Sequence, residues 1–250
     1  MGRTVRSSHS TSSIRARALV ASIACFVSAL ASTALAGDVH GTLTVPADLV
    51  SMTPPPSEEA AARLRYWEEW NGFIAPVTPH IDPAREIAVV LTGPGAIVEA
   101  DQPPYRLHNG SLVPATLVVR AGTGFQIRND DGCEYELFAE GLDEIGPVQT
   151  APGNARPLTV SAAGHWPIAD RNLPHVRGHL HALADLVARA TVEASGAYVF
   201  HGVPPGEYVL HVFHGDHEAS SQPVTVTDVA LTIPAIQVQA AAAAAAAAAH

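Results

Sequence analysis

The 250-residue chain has no lysine: its 14 cations are all arginine, set against 24 acids, for a formal charge of −10. A phosphate backbone is held by clustered positive charge, so this balance argues against nucleic-acid binding. Two cysteines, Cys25 and Cys133, are too few for a disulfide framework. Apart from the N-terminal region, no stretch is long and apolar enough to span a bilayer. Also missing are a Gly-x-Ser-x-Gly elbow, a phosphate loop, a dinucleotide fingerprint and a His-Glu-x-x-His zinc motif, so nothing in the sequence supports an enzyme. Against these absences, 47% of the residues are hydrophobic. That content argues against disorder and for a substantial buried core.

Residues 1–36 read as an export signal. Arg3, Arg6, Arg15 and Arg17 form a basic start, Ala18 to Leu30 is a short apolar run, and Ala34-Leu35-Ala36 offers small residues for cleavage before Gly37. The expected location is therefore outside the cytoplasm, periplasmic or secreted. Cleavage would leave ten arginines against 24 acids, a formal charge of −14, and Cys133 as the remaining thiol. A lone cysteine of this kind reads first as a small buried hydrophobe. At the other end, residues 240–250 form an alanine-rich, low-complexity tail without an amphipathic face.

Between these ends, residues 37–239 read as one all-β, Greek-key sandwich domain. Strands are expected at residues 40–45, 86–92, 105–108, 111–113, 116–120, 124–128, 134–139, 197–200, 207–213, 222–226 and 229–238. Asn109-Gly110 is the strongest hairpin signal. Ile87-Ala88-Val89-Val90-Leu91 is a nearly continuous apolar run suited to a central strand. Residues 178–189 fit a helix face as well as a strand. A short helical insertion is expected near 57–70, with Ser57 as its cap and Tyr66, Trp67, Trp70 and Phe73 packing it down.

Two blocks resemble bacterial exported proteins that join a carboxypeptidase regulatory-like sandwich to a cupredoxin-like (plastocyanin-type) half. The first runs Asn109-Gly110-Ser111-Leu112-Val113-Pro114-Ala115-Thr116-Leu117-Val118-Val119-Arg120-Ala121-Gly122-Thr123, followed by Phe125 and Asn129. The second comprises Pro174-His175-Val176-Arg177-Gly178, Ser195-Gly196-Ala197-Tyr198-Val199-Phe200, Val203-Pro204-Pro205-Gly206-Glu207-Tyr208-Val209-Leu210 and His214. The resemblance implies a type 1 copper site, which wants two His, one Cys and usually a weak axial Met. At the matching positions stand Tyr135 for the first His, Asp170 for Cys, Leu173 for the second His and Val176 for Met. Leu and Val cannot bind a metal, so the resemblance implies the scaffold without the blue-copper function and without a bound cofactor.

Two other chemistries compete. Eight of the 13 histidines lie between His165 and His217. A zinc or copper site from His179, His181 and His214 with Asp216 or Glu218 in the 175–217 region is chemically sensible. Exposed Trp67 and Trp70 would suit a carbohydrate platform. The acids from Asp130 to Glu144 read as a solvated edge, with Asn129-Asp130-Asp131-Gly132 as a turn. The leading expectation is a non-catalytic exported scaffold that binds a protein or cell-envelope partner.

Overall fold

The structure, a computed structural model, describes residues 37–47, 49, 81–98 and 105–239. The proposed signal, the 57–70 insertion with Trp67 and Trp70, and the alanine tail lie outside these residues. The strands, in chain order, are β1 (Gly37–Thr44), β2 (Ile87–Thr92), β3 (Tyr105–His108), β4 (Ser111–Val113), β5 (Thr116–Arg120), β6 (Gly124–Asn129), β7 (Tyr135–Ala139), β8 (Val148–Thr150) and β9 (Ala155–Thr159). They continue with β10 (Gly164–Asp170), β11 (Arg177–Leu183), β12 (Leu186–Arg189), β13 (Thr191–Val192), β14 (Ala197–Val203), β15 (Gly206–His214), β16 (His217–Val226), β17 (Leu231–Thr232) and β18 (Ile236–Gln237). A single helical turn, α1 (Pro83–Glu86), leads into β2. Asp82 caps it by accepting from the Ala84 N–H at 3.1 Å, and Pro83 occupies the first position, where its missing N–H costs nothing.

These strands form two sandwiches, each around its own apolar core. In the first, a sheet of order β13-β14-β1-β17, with β18 also on β1, faces a sheet of order β12-β2-β15-β16. Their shared core includes Val39, Ile87, Val89, Leu91, Phe200, Leu210, Val212 and Val226. In the second, a β4-β3-β6-β9 sheet faces a β5-β11-β10-β7-β8 sheet around Leu107, Leu117, Ile127, Tyr135, Leu137, Ile168 and Leu180. The whole second sandwich lies between β2 and β12 in sequence, so it is inserted into the first.

The two sandwiches meet along a seam. Ile87, Val89 and Leu91 of β2 point into the first core, while Val90, with Ala88 beside it, points the other way, against Val118, Leu186 and Phe213. Likewise Leu117 and Val119 of β5 enter the second core and Val118 enters the seam. Both strands are buried on both faces, which explains their unbroken apolar runs better than simple alternation does. Polar bonds flank the apolar centre. Thr116 Oγ1 donates to the Glu86 carbonyl and accepts from the Gly215 N–H at 3.0 Å, and the Ala115 N–H donates to the Arg85 carbonyl at 2.6 Å. Farther along, Arg189 of the first sandwich lies over the Tyr105 ring of the second, 4.4 Å from its centroid.

Several expectations change at this level. Residues 178–189 are two strands, β11 and β12, with a turn between them. β8, β9, β10 and β13 were not expected, and Pro157 and Pro167 explain part of that, because proline inside a run argues against a paired strand. The final segment is not one strand over 229–238 but the short β17 and β18, with Pro234 between them.

Two glycines are dictated by geometry. Asn109 and Gly110 sit at φ +53° and +70°, the paired left-handed conformations of a two-residue hairpin turn. A Cβ on Gly178 would lie 2.5 Å from the Ala115 carbonyl oxygen and 2.9 Å from Leu112. Since that obstacle is backbone, Gly178→Ala is expected to lower unfolding free energy by about 1–3 kcal/mol. Urea unfolding of the variant beside the wild-type chain checks this.

Candidate functional site

The four positions matched to copper ligands lie together at one end of the second sandwich. Asp170 closes β10 opposite Leu137 of β7, so its carboxylate faces the start of β7. Its Oδ2 accepts from the Glu136 N–H at 2.5 Å, and its Oδ1 accepts from the N–H groups of Asn172 at 2.9 Å and Leu173 at 2.8 Å. The Asp170 N–H donates to the Val176 carbonyl at 3.1 Å, and the Val176 N–H to the Leu173 carbonyl at 2.9 Å. Tyr135 and Val176 are buried in the second core, and Leu173 packs against it. Around the rim, Glu136 accepts from Arg171 at 3.3 Å and Asn172 at 3.1 Å.

This donor set does not fit a copper ion. Leu173 and Val176 carry no donor, and the Asp170 carboxylate already accepts three backbone bonds. The four positions are taken up by a hydrogen-bonded loop and apolar side chains. Cys133 is exposed, contrary to the buried position expected for it, and its backbone carbonyl accepts from Asn129 Nδ2 at 2.8 Å.

A second polar hub adjoins this end: Asn129 to Gly132 form the expected turn, with Asn129 Oδ1 accepting from the Asp131 N–H, but Asn129 and Asp131 also carry contacts to other elements. Asn129 is fully buried. Its side chain donates to the Cys133 and Thr150 carbonyls and accepts from the Asp131 N–H. Asp131 in turn accepts from the Tyr135 hydroxyl at 2.5 Å, Asn109 N–H at 2.7 Å and Gly110 N–H at 2.9 Å. Burial pushes the Tyr135 phenol well above its ordinary value, and the Asp131 carboxylate adds to this. For Asp131, burial acts upward but the Tyr135 hydroxyl and the two amides outweigh it, leaving its pKa lowered. Asp130 pairs with Arg128 at 2.7 Å and Arg106 at 3.4 Å. The hub therefore ties the β3–β4 hairpin to β7.

The histidines collect elsewhere, on the outer face of the second sandwich where it meets the first. His165 of β10 is directly opposite His181 of β11, and His179 is two residues earlier on the same face. The His165 and His181 rings stack at 4.5 Å and those of His165 and His179 at 5.3 Å, with His165 Nε2 hydrogen-bonded to His179 Nδ1 at 3.1 Å. His181 is buried, packs its ring on Phe213 at 4.6 Å, and donates from Nε2 to the Gly215 carbonyl at 2.7 Å. Burial pushes all three pKa values down, that of His181 to about 4, because a charged imidazole loses its hydration there.

The expected metal set does not assemble. Glu218 is bonded to His211 at 2.8 Å, and His214 is buried with Nε2 3.8 Å from Glu86 Oε2, beyond hydrogen-bond length. Asp216, on the turn after β15, pairs with His217 at 3.3 Å. Among the described residues, no three His, Cys, Asp or Glu side chains are placed to enclose a metal ion. His165 was not singled out in sequence because its strand was not anticipated; once β10 is paired with β11, its register with His181 follows.

Among known proteins, no family model matches the chain, and no curated protein matches it. Solved structures do. Amicyanin from Paracoccus versutus (Thiobacillus versutus) aligns at 15% identity and TM-score 0.30, over 38% of this chain and 97% of that one. A Cu(I) form of an amicyanin point mutant aligns at 15% identity and TM-score 0.28, over 39% of this chain and 99% of that one. Among the described residues, no helix is long and apolar enough to cross a membrane.

Two outcomes follow from the loop and hub. Asp170→Ala strands three amides and is expected to cost about 2–4 kcal/mol of stability, with Asp170→Asn costing less because one acceptor oxygen remains. Chemical denaturation at neutral pH measures both. The lowered Asp131 pKa stabilises the fold above the ordinary value of 3.8, and that contribution disappears as pH falls through the lower folded value. The stability gap between wild type and Asp131→Asn should therefore be full at pH 6 and shrink below pH 4, as read by thermal melts across that range.

Proposed function

We propose that the chain is an exported, non-catalytic binding or scaffold protein of the cupredoxin-like kind, built on two joined β-sandwiches and without a type 1 copper centre. The observation that carries this reading is the saturation of Asp170 by the Glu136, Asn172 and Leu173 amides, beside Leu173 and Val176, which offer a metal nothing. A loop organised this way holds its shape through backbone bonds and has no need of a metal to fold. Export is supported by the basic start, apolar run and small-residue cleavage site of residues 1–36. A net acidic, lysine-free surface directs the partner search toward proteins or cell-envelope components and away from nucleic acid and anionic lipid.

Copper titration of the purified, tag-free exported chain tests the reading. One equivalent of Cu(II) should produce no thiolate-to-copper absorption band, and N-terminal sequencing should begin at Gly37. A stable, stoichiometric band abolished by Cys133→Ser would overturn the copper-free assignment, and recovery of the uncleaved chain from the cytoplasm would overturn export.

A further inference from the structure

We propose that the His165–His179–His181 stack makes the seam between the two sandwiches an acid-released joint, closed at neutral pH and opened by protonation while each sandwich stays folded. Three imidazoles share one small patch, with ring centroids 4.5 and 5.3 Å apart, so they cannot all become cations without mutual repulsion. The His165–His179 hydrogen bond requires one ring nitrogen to act as acceptor, which a doubly protonated pair cannot supply. His181 is the member that reaches across: its ring lies on Phe213 and its Nε2–H bonds the Gly215 carbonyl, both in the first sandwich. Charging the stack therefore acts directly on one of the contacts between the two sandwiches, with the Gly215 carbonyl favouring the charged ring and burial and the neighbouring rings opposing it.

The surroundings add one acid and two further bases. From the turn after β15, Asp216 favours the charged form of all three rings, whereas His214 and His217 oppose it at His179. Glu86, at the end of α1, faces His214. β5 contributes only Thr116 and Val118 beside the rings, both neutral. Arg120, the cation on β5, is spent at the far end of the seam on the Gly95 and Leu186 carbonyls. Asp216 is itself held below its ordinary pKa: burial acts upward, but the His217 bond, a backbone amide and the nearby His179 and His217 rings together outweigh it. It therefore keeps its charge to lower pH than an ordinary carboxylate and only partly counters the repulsion.

The sign follows from the direction of the histidine shifts. Rings with a lowered pKa in the closed joint stabilise it fully above the exposed value of 6.5, and that stabilisation drains away as pH falls from 6.5 toward the closed-state value. For His181, held at about 4, the bias between closed and open forms changes by a factor of roughly a hundred between pH 7 and pH 4. The apolar centre of Val90, Val118, Leu186 and Phe213 is small, with four buried side chains against the much larger cores on either side. An imbalance of this size therefore reaches the seam before it reaches either core.

Nuclear Overhauser effects on the isotopically labelled, tag-free chain separate the seam from the sandwiches. Contacts of Phe213 with His181 and Val118 report the seam, Val39–Phe200 the first sandwich and Leu117–Leu180 the second. Between pH 7.5 and 4.5 the seam contacts should fall at least about tenfold while the other two persist. The triple variant His165→Gln, His179→Asn, His181→Gln keeps polar nitrogens near their original positions without a titrating ring, and should retain its seam contacts at pH 4.5. Asp216→Asn, at an exposed position, should move the opening to higher pH. The proposal is overturned if wild-type seam contacts survive until the cores themselves melt, or if the triple variant opens at the wild-type pH. Should the triple variant not fold, an unchanged midpoint in Asp216→Asn overturns it alone.

Discussion

Two strands buried on both faces, β2 and β5, set the terms for everything else in this molecule. Each supplies alternate side chains to its own sandwich core and the intervening ones to a common seam, where Val90 meets Val118. A strand in that position has no solvent face on which a polar residue would be harmless. Its register must be exact, because a one-residue slip would exchange seam and core residues. The inserted second sandwich leaves the first after β2 and returns at β12, beside β2 in the same sheet. Its entry and exit are thus close together, and the seam fixes how the insert is carried.

The polar groups obey the same constraint with different solutions. At the end of the second sandwich, Asp170 and Asp131 are surrounded by backbone amides and one phenol, so buried negative charge is matched by donors in fixed positions. At the seam the solution is neutrality. The histidines there are held uncharged by burial and bonded to one another or to a carbonyl, and Thr116 serves as donor and acceptor at once. In the first arrangement the Asp131 carboxylate is held below its ordinary pKa by its donors. The second responds where imidazoles do, which makes the two ends of one sandwich chemically unlike.

The continuous apolar runs of β2 and β5 and the Asn109-Gly110 hairpin were legible in sequence, because each rests on local chemistry: burial pattern in the first case, left-handed backbone in the second. β10 was not, since Pro167 and Gly164 suppress the pattern that alternating side chains would leave. With β10 missing, the pairing that brings His165 against His181 was invisible, and so was the true histidine site. Asp131 was read as a turn residue for a similar reason. Its role depends on Tyr135 and on the Asn109–Gly110 amides, 21 and 22 residues away, and spacing along a chain does not encode such a meeting. Cys133 shows the opposite error, a residue type usually buried that here lies on the surface of a turn.

The loop at the end of the second sandwich is held by side chains that satisfy the polypeptide itself. Leucine and valine at two of the four positions contribute apolar burial. A carboxylate at the third accepts from Glu136, Asn172 and Leu173, pulling the loop after β10 onto the start of β7. The phenol at the fourth, Tyr135, keeps its ring in the core and sends its hydroxyl outward to Asp131. All four side chains thus act on the polypeptide itself, through backbone acceptance at Asp170, apolar burial at Leu173 and Val176, and the Tyr135 hydroxyl on Asp131.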